Sequence, residues 1–232
     1  NQNPQWQWML LTLQALADNR SIHANEKYVS FENNAAFAGN VNFAPLLECI
    51  INRHPATIVY KPFRHAESKE WNIHPYFLKQ YNSRWFLFTR IDGRDWDAGD
   101  SPVKNEITCF ALDRISVIQP LNSAYQPSNI DFEKYFEDVI GPTVNDTMCA
   151  ATVTLKISAD RYPYVQSKPF SEKQQTSKNK DNSYTIKFPI KINNEFISIL
   201  LSFGSDIEII HPKYLRETIA QKALEMAEIY KK

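Results

Sequence analysis

An α+β protein is implied by the amino-acid sequence: a helical connector, a small β-barrel, and then a ferredoxin-like α/β unit. Three observations carry this. Between Ala56 and Gln119 the chain runs in short segments rich in β-branched and aromatic residues, broken by polar clusters. From Cys149 onward, strand and helix patterns follow the order β-α-β-β-α-β. The residues before both open with Trp6, Met9, Leu10, Leu13 and Leu16, whose spacings of three and four put one apolar stripe on a short helix.

The connector, residues 1–42, continues through a polar stretch with Asn19 and Asn25 to Tyr28-Val29-Ser30-Phe31. A second helix is expected over 44–51, with Leu46, Leu47, Ile50 and Ile51 facing inward. The barrel unit, 43–121, should hold strands at 57–63, 71–79, 85–91, 107–112 and 115–119. Several short strands joined by tight turns favour a closed sheet, since closure removes exposed edges. The polar run from Asp92-Gly93 to Ser101-Pro102 reads as a loop. A linker, 122–148, is rich in Pro and Ser up to Asn129, then turns helical over 131–140 and stops at Gly141-Pro142. In the last unit, 149–232, strands are expected at 151–157, around Phe170, at 184–192 and at 207–210, with helices near 160–166, at 195–203 and at 213–230. The charged stretch 172–182 reads as a loop.

At 232 residues, 43% of them hydrophobic, the chain is long enough to bury a core in each of two units. Lysine plus arginine equals aspartate plus glutamate at 26 each, so any nucleic-acid contact must be local rather than driven by a global field. No stretch is apolar enough for a membrane span and the start Asn1-Gln2-Asn3-Pro4 lacks a secretory pattern, so a cytoplasmic protein with no membrane partner is expected. Because Asn1 is not methionine, a piece of a longer protein is also expected. Cys49, Cys109 and Cys149 stand far apart and read as buried reduced thiols.

Catalytic templates are absent from the sequence: it has no nucleophile-elbow spacing, no phosphate-cradling glycine loop and no paired histidines at helical spacing. The expectation is a binding module without a cofactor or a metal, not an enzyme. Asp92, Asp95, Asp97 and Asp100 lack the distal glutamate of a calcium loop and read as a solvated hairpin tip. His54, His65 and His74 lie on different elements without zinc-ligand spacing. His74, just before Pro75, is either a hydrogen-bonded histidine at a strand bend or a polar group facing a pocket.

Aromatic and cationic residues cluster at Tyr60, Lys61, Tyr76, Arg84, Trp85, Phe86, Phe88 and Arg90, with Asp113-Arg114 downstream. In a strand, Arg84, Phe86, Phe88 and Arg90 share one face and Trp85, Leu87 and Thr89 the other. Rings that stack bases, beside arginines that fork onto phosphate, suit a nucleotide or single-stranded nucleic acid. An ordinary half-exposed sheet, with arginine stems lying over aromatics, has the same pattern.

Four blocks in order resemble the WYL-domain family of transcription regulators: Ile58-Val59-Tyr60-Lys61-Pro62-Phe63, Asn72-Ile73-His74-Pro75-Tyr76-Phe77-Leu78-Lys79, Arg84-Trp85-Phe86-Leu87 and Phe110-Ala111-Leu112-Asp113-Arg114-Ile115. The run from Leu200 to Arg216 is similar to the C-terminal extension that follows this domain. The resemblance implies an Sm-like or SH3-like barrel that senses a nucleotide or single-stranded nucleic acid within a homodimeric regulator. It also implies an N-terminal helix-turn-helix for operator DNA, which this chain does not show and which is expected upstream of Asn1. Carried over by position, the ligand-binding residues are Tyr60, His74, Arg84, Trp85, Phe86 and Arg114, with Trp85, Leu87 and Ile115 mainly serving the core. Phe86 stands where the motif has tyrosine, Trp71 and Asn72 where the family often has an arginine, and Thr108 where it often has another. The rival readings are an enzyme working through His74 and the acidic loop, and a scaffold that only mediates oligomerisation.

Overall fold

A computed structural model describes residues 41–63, 66–93, 107–144 and 149–231, all within the compact unit Ala38–Lys232. The expected helix from Trp6 to Leu16, the segment 28–31, His65, and Asp95, Asp97 and Asp100 lie outside the described residues.

Helix α1 (Phe43–Ile51) precedes strands β1 (Ala56–Tyr60), β2 (Lys69–Tyr81), β3 (Arg84–Ile91), β4 (Thr108–Ala111) and β5 (Ile115–Pro120). All five strands stand where the residue pattern put them. Strand β1 ends early because Pro62 has no N–H to extend a ladder. The strands form one antiparallel sheet in the order β4-β3-β2-β1-β5. The expected closure into a barrel is not seen among the described residues: β4 and β5 are the two edges and share no ladder. A three-residue 3₁₀ turn, Leu112–Arg114, joins them with extended backbone on both sides. The chain therefore runs onward from one edge strand to the other instead of doubling back to pair.

Ile58, Ile73, Leu87 and Leu112 fill the core of this sheet, and α1 covers it with Leu46 and Cys49. Leu47 and Ile51, expected inward, are exposed. Positions 46, 49 and 50 lie on one helix face and 47 and 51 on the next, so only the first set reaches the sheet. The cysteine reading is likewise corrected: Cys49 is buried, but Cys109 and Cys149 are exposed. On β4, alternation turns Phe110 inward and Cys109 outward.

The linker carries helix α2 (Phe132–Tyr135), capped by Asp131, whose side chain accepts from the Glu133 and Lys134 N–H groups. The expected helix to residue 140 is thus cut to four residues. The break comes with Asp138, whose φ is +56° and whose carbonyl accepts from the Lys191 N–H at 2.7 Å. That bond ties the linker to the second unit.

The second unit runs β6 (Ala151–Ile157), α3 (Tyr162–Ser167), β7 (Gln175–Lys178), β8 (Tyr184–Ile190), α4 (Asn194–Ser202), β9 (Ile207–His211) and α5 (Lys213–Ile229). Its four strands are antiparallel in the order β7-β8-β6-β9, with the element order expected from the sequence. The second strand is displaced. It lies at Gln175–Lys178, within the stretch read as a loop, while Phe170 packs into the core, 5.4 Å from the Phe188 ring and 6.0 Å from that of Phe196. An edge strand with all four residues exposed has no hydrophobic alternation to announce it. Leu155, Ile157 and Ile186 are fully buried beneath the helices, and Phe196 of α4 is fully buried against them.

Candidate functional site

Strands β2 and β3 turn on Asn82-Ser83, both at positive φ (46° and 59°), as two-residue hairpins require. Tyr81 consequently faces Arg84, Lys79 faces Phe86, and Phe77 faces Phe88, with Ala111 beyond Phe86 and Cys109 beyond Phe88 on β4. This is the mixed aromatic and cationic face, and it divides into two halves.

The half around Phe88 is sealed by the linker. Phe132 stacks on Phe77 at 4.7 Å with planes 7° apart, and Phe136 meets Phe88 edge-on at 4.9 Å. The Lys79 ammonium lies 4.2 Å from the Phe136 ring centre, and its burial there lowers its pKa. Beneath the lid, His74 is 1% exposed. Its Nδ1 accepts from the Gln126 N–H at 3.1 Å, so Nε2 carries the proton and donates to Asp92 at 2.8 Å. Both ring nitrogens are engaged, and neither is available to a ligand. The bend expected at His74-Pro75 is a register shift between Pro75 and Phe77. It is clamped by the Tyr125 hydroxyl donating to the Pro75 carbonyl and the Tyr76 hydroxyl donating to that of Gln126, each at 2.8 Å.

The half around Arg84 is open. Tyr60, Arg84, Phe86 and Arg114 line a cleft of about 390 Å³ together with Tyr81, Asn82, Cys109, Ala111, Pro142, Thr143 and Glu195. Four of the six expected ligand residues therefore meet in one place. Trp85 turns to the core, its ring 4.4 Å from that of Phe43, and His74 belongs to the other half.

Arg114 is held by its backbone. Asn42 Nδ2 donates to the carbonyls of Leu112 (2.9 Å) and Ile115 (2.8 Å), and the Lys61 N–H donates to the Arg114 carbonyl at 3.1 Å. Those bonds pin the 3₁₀ turn, so the Arg114 side chain stays at the cleft. The Arg114 guanidinium lies 3.4 Å over the Phe63 ring, which is 72% exposed, and its Nη1 donates to the Tyr60 hydroxyl at 3.4 Å. Arg84 approaches Asp113 at only 3.7 Å with 37% of its side chain exposed, a loose pair that costs little to trade for another anion.

Glu195 comes from the second unit. Asn193 caps α4 by accepting from the Phe196 N–H at 2.9 Å, while its amide donates to the carbonyls of Ile140 (2.8 Å) and Thr143 (3.0 Å). The linker and the start of α4 are therefore locked together. Gly141, at φ +82°, also makes room: a Cβ there would stand 2.7 Å from the Glu195 Cγ. The Gly141-Pro142 pair read as a helix stop is instead a seat for this carboxylate. Glu195 Oε1 accepts from the Thr143 hydroxyl. Burial, and then the Glu195 charge, raise the pKa of the Tyr81 phenol against an opposing bond from Asn82. Although Cys109 keeps solvent-accessible surface, the atoms packed around its thiol and the Glu195 charge push its pKa up to about 12, with Arg114 opposing.

Among the described residues, four buried side-chain polar atoms have no hydrogen-bond partner: Asp113 Oδ1, Arg114 Nε, Glu195 Oε2 and Arg161 Nε. Three of them belong to this cleft or to the acid beside its arginines. A buried bare donor or acceptor costs about 1–3 kcal/mol, and three in one place mark a site built for something other than stability.

Residues 41–120 match the WYL domain and residues 149–227 the WCX domain. The chain carries a WYL domain followed by a WCX domain. Its cleft is composite: most walls come from the WYL segment, Pro142 and Thr143 from the linker, and Glu195 from the WCX segment. No curated protein matches the chain. Solved structures similar to it include the proteasome accessory factor B/C (PafBC) of Arthrobacter aurescens, at 16% identity and a TM-score of 0.34 over 82% of this chain and 27% of that one. A CRISPR Cas-related protein is similar at 13% identity and a TM-score of 0.47 over 83% of this chain and 53% of that one. The chain thus spans about a quarter and about half the length of these structures, and likeness at this level does not bear on what it binds. Among the described residues no helix is long and apolar enough to cross a membrane, and no cluster of His, Cys, Asp and Glu could hold a metal ion.

The residues missed by sequence reading were Tyr81, Asn82, Cys109, Pro142, Thr143 and Glu195. Asn82-Ser83 between two strands was a readable turn signal. Glu195 was not readable, because its place depends on how the linker meets α4.

Proposed function

We propose that this chain is the effector-sensing and dimerising part of a WYL-domain transcription regulator, a binding module rather than an enzyme, whose cleft takes a nucleotide or single-stranded nucleic acid. The observation that carries this is the pairing of Arg84 and Arg114 with Tyr60 and Phe86 at one cleft, with the exposed Phe63 ring beneath the Arg114 guanidinium. Guanidinium groups fork onto phosphate, and an exposed ring under a cation is a platform for a base. Tyr60, Arg84, Phe86 and Arg114 touch the ligand; Trp85 supports them from the core, and His74 holds the linker.

On this reading the five-stranded sheet is the family's Sm-like, SH3-like element, with β5 paired back to β1 and a 3₁₀ turn before it, and the second unit is ferredoxin-like. The regulator works as a homodimer in the cytoplasm, where the free thiols Cys49, Cys109 and Cys149 stay reduced. It reaches operator DNA through a helix-turn-helix upstream of Asn1.

Fluorescence anisotropy with a labelled 5′-phosphorylated single-stranded oligonucleotide tests the assignment. Saturable binding is expected, weakening between about 50 and 200 mM salt and falling about ten- to a hundredfold in Arg84→Ala and in Arg114→Ala. Absence of saturable binding, or affinity unchanged in both variants, would sink it. Sedimentation velocity checks the dimer, which a purely monomeric boundary at micromolar concentration would refute.

A further inference from the structure

Arg84, Arg114 and the carboxylate of Glu195 line the same cleft. Glu195, Tyr81 and Asn82 also border a second hollow of about 410 Å³, whose remaining walls, Asn194, Ser198, Ile199 and Ser202, carry no charge. A phosphate entering this space is drawn to Arg84 and Arg114 and repelled by Glu195, so a nucleotide is oriented with its base toward the carboxylate. There, Glu195 Oε2 has no partner and almost no exposed surface, so it meets a ligand when the side chain turns toward the cleft, and Oε1 keeps a lone pair beyond the one that Thr143 uses. Asn193 ties the start of α4 to the linker and Gly141 leaves space beside the Glu195 side chain, so the residue stands at the cleft with room to turn.

Resting on the nucleotide reading of this cleft, we propose that Glu195 is a specificity-determining residue that selects a guanine base. An ionised carboxylate offers acceptors only. Guanine is the one base of the four that sets two N–H donors side by side on its pairing edge, at N1 and the 2-amino group. Adenine and cytosine place an acceptor next to their donor, and thymine flanks its single N–H with carbonyls, so each sets a lone pair against the second carboxylate oxygen. Ribose hydroxyls are the other source of paired donors, and a comparison of deoxy with ribo forms separates the two.

Isothermal titration of the whole chain with the 5′-phosphorylated dinucleotides pd(GT), pd(AT), pd(CT) and pd(TT) tests this. The guanine form is expected to bind at least about tenfold tighter than the others. Replacing guanine by hypoxanthine, which lacks the 2-amino group, should remove part of that advantage without altering the protein. Glu195→Gln should abolish the preference by weakening pd(GT) relative to pd(TT). Equal affinities for the four bases, a preference that survives in Glu195→Gln, or a preference seen only among ribo forms would overturn the inference. If Arg84→Ala weakens every dinucleotide and no base is preferred, the role of Glu195 falls while the cleft assignment stands. If none of the dinucleotides binds, both fall.

Discussion

The two ends of strand β3 share a sheet face and little else. At the Phe88 end, rings from the linker cover the strand, and the buried His74 has a partner on each nitrogen. At the Arg84 end the same face opens into a cleft where a guanidinium nitrogen and a carboxylate oxygen are buried without partners. A satisfied polar network in a low-dielectric interior adds rigidity, and an unsatisfied one costs stability. One end of the strand therefore holds the fold together and the other gives up stability to hold a ligand. Three measurements probe that division.

The largest effect is expected from Phe88→Ala, which empties the space beneath Phe132 and Phe136 and should cost about 3–5 kcal/mol in urea unfolding. A cost below about 1 kcal/mol would mean that the linker does not seal this half. Next comes His74→Ala, which strands the Gln126 N–H and leaves a cavity. Stability should fall by about 2–4 kcal/mol while dinucleotide affinity stays within about twofold. A large loss of affinity would show that the two ends act as one. The smallest effect concerns Cys109 at the border between them. With its thiol pushed up to about 12, the reactive thiolate is scarce at pH 8. Alkylation followed by mass spectrometry should therefore find Cys109 slower than Cys149 at pH 8 and accelerating as the pH approaches 12; fast labelling at pH 8 would contradict its surroundings.

Much of this was legible in the residues. The five strands of the first sheet were readable from β-branched and aromatic runs because each has one face in a core, and the family resemblance rested on four of those runs. Arg84, Phe86, Tyr60 and Arg114 could be named as a group because alternation and a resemblance agreed on them. His74 was named with them, and the pattern could not show that a backbone amide fifty-two residues later would occupy its free nitrogen. Leu47 and Ile51 were expected inward because apolarity alone does not say which of two adjacent helix faces meets the sheet. Glu195 was invisible for the opposite reason: it is an ordinary first-turn acid whose role comes from Gly141, Thr143 and the linker that carries them.

The linker's rings have a practical consequence for anyone dividing this protein. A fragment ended at Pro120, where the first matched segment stops, would lack Tyr125, Phe132 and Phe136 and would present Phe77 and Phe88 to solvent. Such a greasy patch beside an unprotected edge strand invites self-association during expression. The smallest piece of this region fit for separate production ends beyond Phe136, inside what reads as a spacer.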